Sequence, residues 1–126
     1  MQSNLILAGW RNDVPQLLAA ADFYVHPSRW EGLPLALLEA MAAARPTICT
    51  DGFKLPTGYL PGVHGLVARA DDSQSLAAAL EKVCALSSEE RATMGQAARA
   101  LVQAQFNIAE SGRRFATVVE QTLADG

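Results

Sequence analysis

Apolar and polar positions along the chain follow two different periods. Short apolar runs of strand character lie at Asn4–Ala8, Phe23–His26, Pro46–Thr50 and His64–Ala68, each closed by a turn-forming or polar residue. Helical periodicity fills the stretches between and after them. Asp13 reads as the cap of a helix with Pro15 in its first turn and Leu17, Leu18 and Ala21 on its face. A second helix is expected over Pro34–Ala44. A third starts at Asp72 or Ser73 and runs through Ala85 with Leu76, Ala79, Leu80 and Val83 as its stripe. Ser88-Glu89-Glu90-Arg91 opens a fourth, with Ser87 or Ser88 as cap and acids in the first turn. A last helix spans Ile108–Leu123. Asp51–Gly62, with three glycines and two prolines, reads as loop.

Strands alternating with helices predict an α/β fold: a Rossmann-like parallel sheet with helices on both faces, joined by right-handed crossovers. In such sheets ligands bind outside the carboxyl ends of the strands. Gly9–Asp13, His26–Leu33 and Thr50–Gly52 follow strands in this reading and are expected to converge on one cleft. Four strands are fewer than the five or six usual for a doubly wound nucleotide domain, and no GxGxxG or GxxxxGK[ST] turn is present. The chain is therefore expected to be a single domain over residues 1–126, a partial C-terminal portion of a longer protein.

The helix over Pro34–Ala44 contains one residue that breaks its pattern. Its side chains are Pro, Leu, Ala and Met except for Glu39, and Glu31 stands eight residues earlier on the preceding loop. A carboxylate on an apolar helix is costly to bury, so Glu39 either takes an exposed strip or meets a donor in a cleft. Gly32 lets backbone approach a ligand, and the amides of Gly32, Leu33 and Leu35 surround a helix start, where free N–H groups and the dipole favour anions. Pro34 has no N–H but presets the helical φ. A diphosphate fits such a cradle. At 1.5 Å per residue, Glu39 lies roughly 7–8 Å along the helix, far enough from Glu31 to grip a different sugar.

Composition narrows the classes. The chain has 126 residues, half of them apolar, and a formal net charge of −3. That length holds one real core and gives no bulk attraction to nucleic acid or to an anionic membrane. No apolar run nears the roughly 20 residues of a bilayer span, and Met1–Asn4 lacks the basic segment of a signal peptide. Cys49 and Cys84 form no CxxC, and His26 and His64 are distant from them, so no structural zinc site is expected. Both thiols read as small buried hydrophobes, in keeping with a reducing cytoplasmic setting. His26 reads as a hydrogen-bonded structural residue, Ser28 as a turn or cap residue, Trp30 equally as packing or ligand contact, and Arg69, Arg91, Arg99, Arg113 and Arg114 as solvated charges.

Read in order, these motifs form a recognisable set: Gly9 to Asp13, Ala21-Asp22, Pro27-Ser28, Glu31 and Glu39 around Gly32-Leu33-Pro34, Ala40-Met41-Ala42 with Pro46, and Gly65-Leu66-Val67. From about Leu5 to Leu123 the chain resembles the C-terminal portion of a retaining, GT-B-fold glycosyltransferase of the group 1 (GT4) family, whose E-x7-E motif matches Glu31 and Glu39. The resemblance implies a donor-binding domain. The intact protein would transfer a sugar from a nucleoside-diphosphate sugar to an acceptor hydroxyl with retention, without metal or other cofactor.

It further implies Glu31 as the catalytic and hexose-binding carboxylate, and Gly32, Leu33, Pro34 and Leu35 around the donor sugar and diphosphate. Glu39 would take the ribose and Arg11 the base. The acceptor-binding N-terminal domain and a basic pair that neutralises the diphosphate lie outside this chain, so the chain alone is expected to be inactive. Any peripheral membrane association would come through that other part. Ala44-Arg45-Pro46 departs from the family's usual Gly before Pro, and Leu55-Pro56-Thr57-Gly58 departs from its usual Gly-Gly and Glu. The apolar face of the last helix, with Phe115, Val118, Val119 and Leu123, is expected to be left open and to promote self-association. The alternative is a non-catalytic nucleotide-sugar-binding or regulatory module. A flavodoxin- or receiver-type domain would need an acidic cluster or flavin loop at the strand ends, and neither is evident.

Overall fold

The computed structural model describes residues 4–124, so Met1–Ser3 of the N-terminal reading lie outside the described residues. The elements run α1 (Val14–Ala20), β1 (Tyr24–His26), α2 (Leu35–Ala42), β2 (Thr47–Thr50), β3 (Gly65–Ala68), α3 (Ser73–Ala85), α4 (Ser88–Gln105) and α5 (Ile108–Ala124). The three strands form one parallel sheet in the order β1-β2-β3, with Val25 beside Ile48 and Ile48 beside Leu66.

Helices cover both faces, as expected, because β2 alternates between two cores. Cys49 joins Leu37, Leu38, Met41, Tyr59, Ala98 and Val102 on the α2–α4 side. Its neighbour Ile48 joins Leu66, Val83 of α3 and Met94 from the first half of α4 on the other face. All four residues of β2 are buried, the signature of a parallel strand covered on both faces. Caps define the helix starts. Asp72 accepts from the Ser75 amide, and Ser87 rather than Ser88 forms a reciprocal capping box with Glu90. Those contacts hold the Asp72 and Glu90 carboxyls below their ordinary range, in each case chiefly through the backbone hydrogen bond.

The α2 helix ends earlier than Ala44, on a left-handed residue. Ala44 has φ 56°, the Arg45 amide reaches Ala40 O at 3.0 Å, and the Ala44 amide reaches Met41 O at 2.9 Å. This is a Schellman closure built on alanine instead of glycine.

Three sequence expectations fail. Asn4–Ala8 is not a strand, and Leu5, Ile6 and Leu7 are 72%, 85% and 89% exposed. A strand needs a neighbour to satisfy its backbone, and no described strand runs beside this segment. Asp13 precedes α1 but makes no side-chain cap bond, because Arg11 takes its carboxylate. Cys84 is exposed on α3 while Cys49 is buried, since the stripe facing the sheet passes through Val83.

Candidate functional site at the strand ends

The carboxyl ends of β1 and β2 meet, as topology requires. Thr50 Oγ1 donates to the carbonyl of Ser28, joining the loop after β2 to the loop after β1. Gly52 lies so close that a Cβ there would overlap the Arg29 carbonyl, so the crossing of these backbones demands glycine. The loop after β3 closes the same edge. Ala70 N donates to Asp51 Oδ1 at 2.7 Å, and Arg29 Nε meets Asp71 Oδ1 at 2.7 Å. Among the described residues no strand precedes Gly9–Asp13, so it is not one of the loops of this edge. It lies before α1, where Arg11 pairs with Asp13 at 2.7 Å. That hydrogen bond is the main cause raising the arginine and lowering the aspartate.

Glu31 sits on the β1–α2 loop with its carboxylate half organised. Oε1 meets His26 Nε2 at 3.0 Å and accepts from Ser28 Oγ at 2.8 Å. Oε2 has no hydrogen-bond partner among the described residues, and the side chain is 29% exposed. His26 is buried, and its Nδ1 meets the Tyr24 hydroxyl at 3.1 Å. Tyr24 and His26 share a face because they stand two apart on a strand. Burial first, then the charges of Glu39 and Glu31, push the Tyr24 hydroxyl up, so both carboxylates act on one phenol.

Gly32, Leu33 and Pro34 line a groove of about 200 Å³ opposite Lys54, Leu55, Pro56 and Thr57, with Gln105 and Phe106 at its end. The amides of Gly32 and Leu33 make no hydrogen bond to the described residues. The Leu35 amide, expected to be open, donates to Leu33 O at 2.8 Å. Pro34 is the N-cap of α2 rather than its first turn. Glu39 lies on the exposed strip of α2. It faces Val14, Pro15 and Leu18 of α1 across a groove of about 460 Å³ that Ala42 and Ala43 complete. Arg11 does not line that groove. Trp30 is 79% exposed, which removes the packing reading. Sequence reasoning missed the Tyr24 link and Lys54. The first was available from the i, i+2 spacing, whereas the second depends on how a loop folds back. No group of three or more His, Cys, Asp or Glu gathers as a metal site among the described residues. No described helix is long and apolar enough to cross a membrane.

A parallel sheet covered by helices on both faces, with its loops gathered at the carboxyl ends of the strands, is of the doubly wound α/β class, in which ligands bind at that edge. The profile of the family described as "Glycosyl transferases group 1" matches residues 1–85, and the chain belongs to that family. Over 51 residues it is 49% identical to the UDP-Gal:alpha-D-GlcNAc-diphosphoundecaprenol alpha-1,3-galactosyltransferase of Escherichia coli, covering 40% of this chain and 13% of that protein. It is 30% identical over 128 residues to the lipopolysaccharide core biosynthesis mannosyltransferase LpsB of Rhizobium meliloti, covering 98% of this chain and 35% of the relative.

Among solved structures, sucrose-phosphate synthase from Thermosynechococcus elongatus superposes with TM-score 0.79 at 29% identity, over 87% of this chain and 27% of that one. HepE of Anabaena, solved in complex with UDP-glucose, superposes with TM-score 0.79 at 26% identity, over 89% of this chain and 31% of that one. The fold is thus that of a GT-B glycosyltransferase C-terminal domain, and the chain spans only a minor part of its relatives' length.

Proposed function

We propose that this chain is the donor-binding part of a retaining, metal-independent GT4-type transferase. The intact cytoplasmic protein moves a sugar from a nucleoside diphosphate to an acceptor hydroxyl in polysaccharide assembly. The observation that carries the reading is Glu31: Oε1 is held by two protein groups and Oε2 is left to accept from a hexose hydroxyl. The open amides of Gly32 and Leu33, beside Pro34 and the start of α2, suit the diphosphate, with Lys54 as the nearby cation. Glu39, in its groove of apolar side chains, suits the ribose hydroxyls. Arg11 reaches a base only by giving up Asp13, and Leu35 contributes its exposed side chain rather than its amide. The UDP-Gal-dependent galactosyltransferase and the HepE complexes with UDP and UDP-glucose support a uridine nucleotide as the first donor to try.

Departure of the nucleoside diphosphate calls for positive charge at the leaving group, and Lys54 alone is a weak supply. We therefore expect donor binding without turnover from this chain, with acceptor and further catalytic groups supplied by another domain. The pair Glu31 and Glu39 does not act as a glycosidase pair, because both project from one loop and helix instead of flanking a bond.

Saturation-transfer NMR with UDP, GDP and ADP tests the reading. Saturation of ribose protons by one nucleotide, lost in Glu39→Ala, is the expected result. No saturation from any of the three would contradict donor binding by this chain. Binding of a nucleotide sugar by the full-length protein without transfer to any acceptor would favour the regulatory-module alternative.

A further inference from the structure

Resting on the reading of Glu31 as the hexose-binding carboxylate, we infer that His26 is a positioning residue that fixes the orientation of the Glu31 carboxylate and so where its free oxygen meets the sugar. The His26 ring is immobilised by its surroundings. Tyr24 stacks on it with centroids 6.0 Å apart, Phe53 meets it edge-on at 5.5 Å, and the residue is buried. Its two nitrogens have unequal partners, a phenol at Nδ1 and a carboxylate oxygen at Nε2.

A carboxylate only accepts, so Nε2 must carry a proton to make a bond at 3.0 Å. The Tyr24 hydroxyl can donate to Nδ1, and burial keeps that hydroxyl protonated. In the neutral ring with its proton on Nε2, the relay runs from Tyr24 O–H to Nδ1, then from Nε2–H to Glu31 Oε1. Ser28 Oγ–H adds a second donor to the same oxygen. With Oε1 doubly occupied, the carboxylate cannot rotate without losing two hydrogen bonds. Oε2 is then the oxygen that accepts from a ligand hydroxyl. Without His26 only the Ser28 hydroxyl would hold Oε1, the carboxylate would turn more easily, and sugar recognition would weaken while nucleotide recognition, made elsewhere, would not.

Two isosteric substitutions separate positioning from bulk. Gln places its amide nitrogen near the location of Nε2 and can still donate to Oε1. Asn places its amide near Nδ1, keeps contact with Tyr24 and cannot reach Glu31. Affinities of the 126-residue chain for UDP and UDP-glucose are measured for each, with melting temperature as the folding control. His26→Asn is expected to weaken UDP-glucose about tenfold and leave UDP unchanged, the loss of one hydrogen bond to a charged group. His26→Gln is expected to recover most of that loss. Equal behaviour of the two variants toward UDP-glucose, or parallel loss of UDP, overturns the inference.

A ligand-free readout stands beside it. Long-range proton–nitrogen NMR of the wild-type chain should show a proton on Nε2. A ring protonated only on Nδ1, or averaging between tautomers, overturns the inference without any variant having to fold. Should the wild-type chain bind neither nucleotide, it is the nucleotide-sugar reading that fails. The NMR result then decides by itself whether His26 donates to Glu31 Oε1, a proton on Nε2 supporting that bond and a proton only on Nδ1 overturning it.

Discussion

Gly95, in the middle of α4, lies directly against the carbonyl of Ala44, the left-handed residue that ends α2. A Cβ on Gly95 would overlap that carbonyl oxygen and carbon. This contact brings the second and fourth helices together on one face of the sheet, and α2 carries Glu39 and follows directly on the loop that holds Glu31.

Helix propensity alone favours Gly95→Ala by about 1 kcal/mol. The overlap is with backbone, which cannot rotate away, and overpacking of this kind costs about 1–3 kcal/mol or more. The clash wins. Gly95→Ala should lower the urea midpoint, and a raised midpoint would mean that α4 can slide off Ala44 at little cost.

Ala44→Gly should act in the opposite sense. Left-handed backbone costs a non-glycine residue about 1–2 kcal/mol, and glycine gives back about 0.5–1 kcal/mol through its freer unfolded chain. A gain of about 2–4 °C in melting temperature is expected. A lower melting temperature would show that packing of the Ala44 methyl outweighs the relief of strain.

Alkaline stability should depend on Cys49. Burial pushes its thiol up to about 11, only partly offset by its hydrogen bond with Tyr59. The folded-state value is raised, so the stabilisation is complete below the unfolded value near 9 and is lost as pH climbs to about 11. At about 1.4 kcal/mol per unit, the loss is about 3 kcal/mol. The Tyr59 hydroxyl is raised for the same main reason and extends the decline to higher pH. Cys49→Ala should flatten stability between pH 9 and 11 relative to wild type; an identical pH profile would refute the assignment.

The last helix has no buried residue, and Phe115, Val118, Val119 and Leu123 are all exposed along it. Sedimentation should therefore depend on concentration, and Phe115→Glu with Val118→Glu should remove that dependence without changing the melting temperature. A sharply monomeric wild type at high concentration would count against self-association through α5.

Elements whose partners lie within the chain were legible from sequence. The β1, β2 and β3 runs, the α3 stripe and the start of α4 follow from period and capping alone. The first run failed because a strand is a property of a pair: Leu5-Ile6-Leu7 has the right side chains and no described neighbour. Arg11 and Asp13 failed through a local competition, in which an ion pair two residues apart displaced the cap. At the site, the position of Glu31 on its loop followed from the sequence, whereas Glu39 was left between an exposed strip and a cleft, and the structure places it on the exposed strip beside a groove. The holding of Glu31 Oε1 by His26 and Ser28, and the approach of Lys54 to Gly32, depend on how side chains and loops meet in space, which periodicity does not encode.

The central claim is that the β1–α2 loop and the start of α2 bind a nucleotide sugar. Its most direct test is titration of the isotopically labelled chain with UDP-glucose while following backbone amide shifts. The account predicts the largest saturable changes at Gly32 and Leu33, with smaller ones near Glu39, Val14 and Lys54, and none along α3. Saturable changes confined to Arg69–Ser73 or to α5, with Gly32 and Leu33 unmoved, would contradict it.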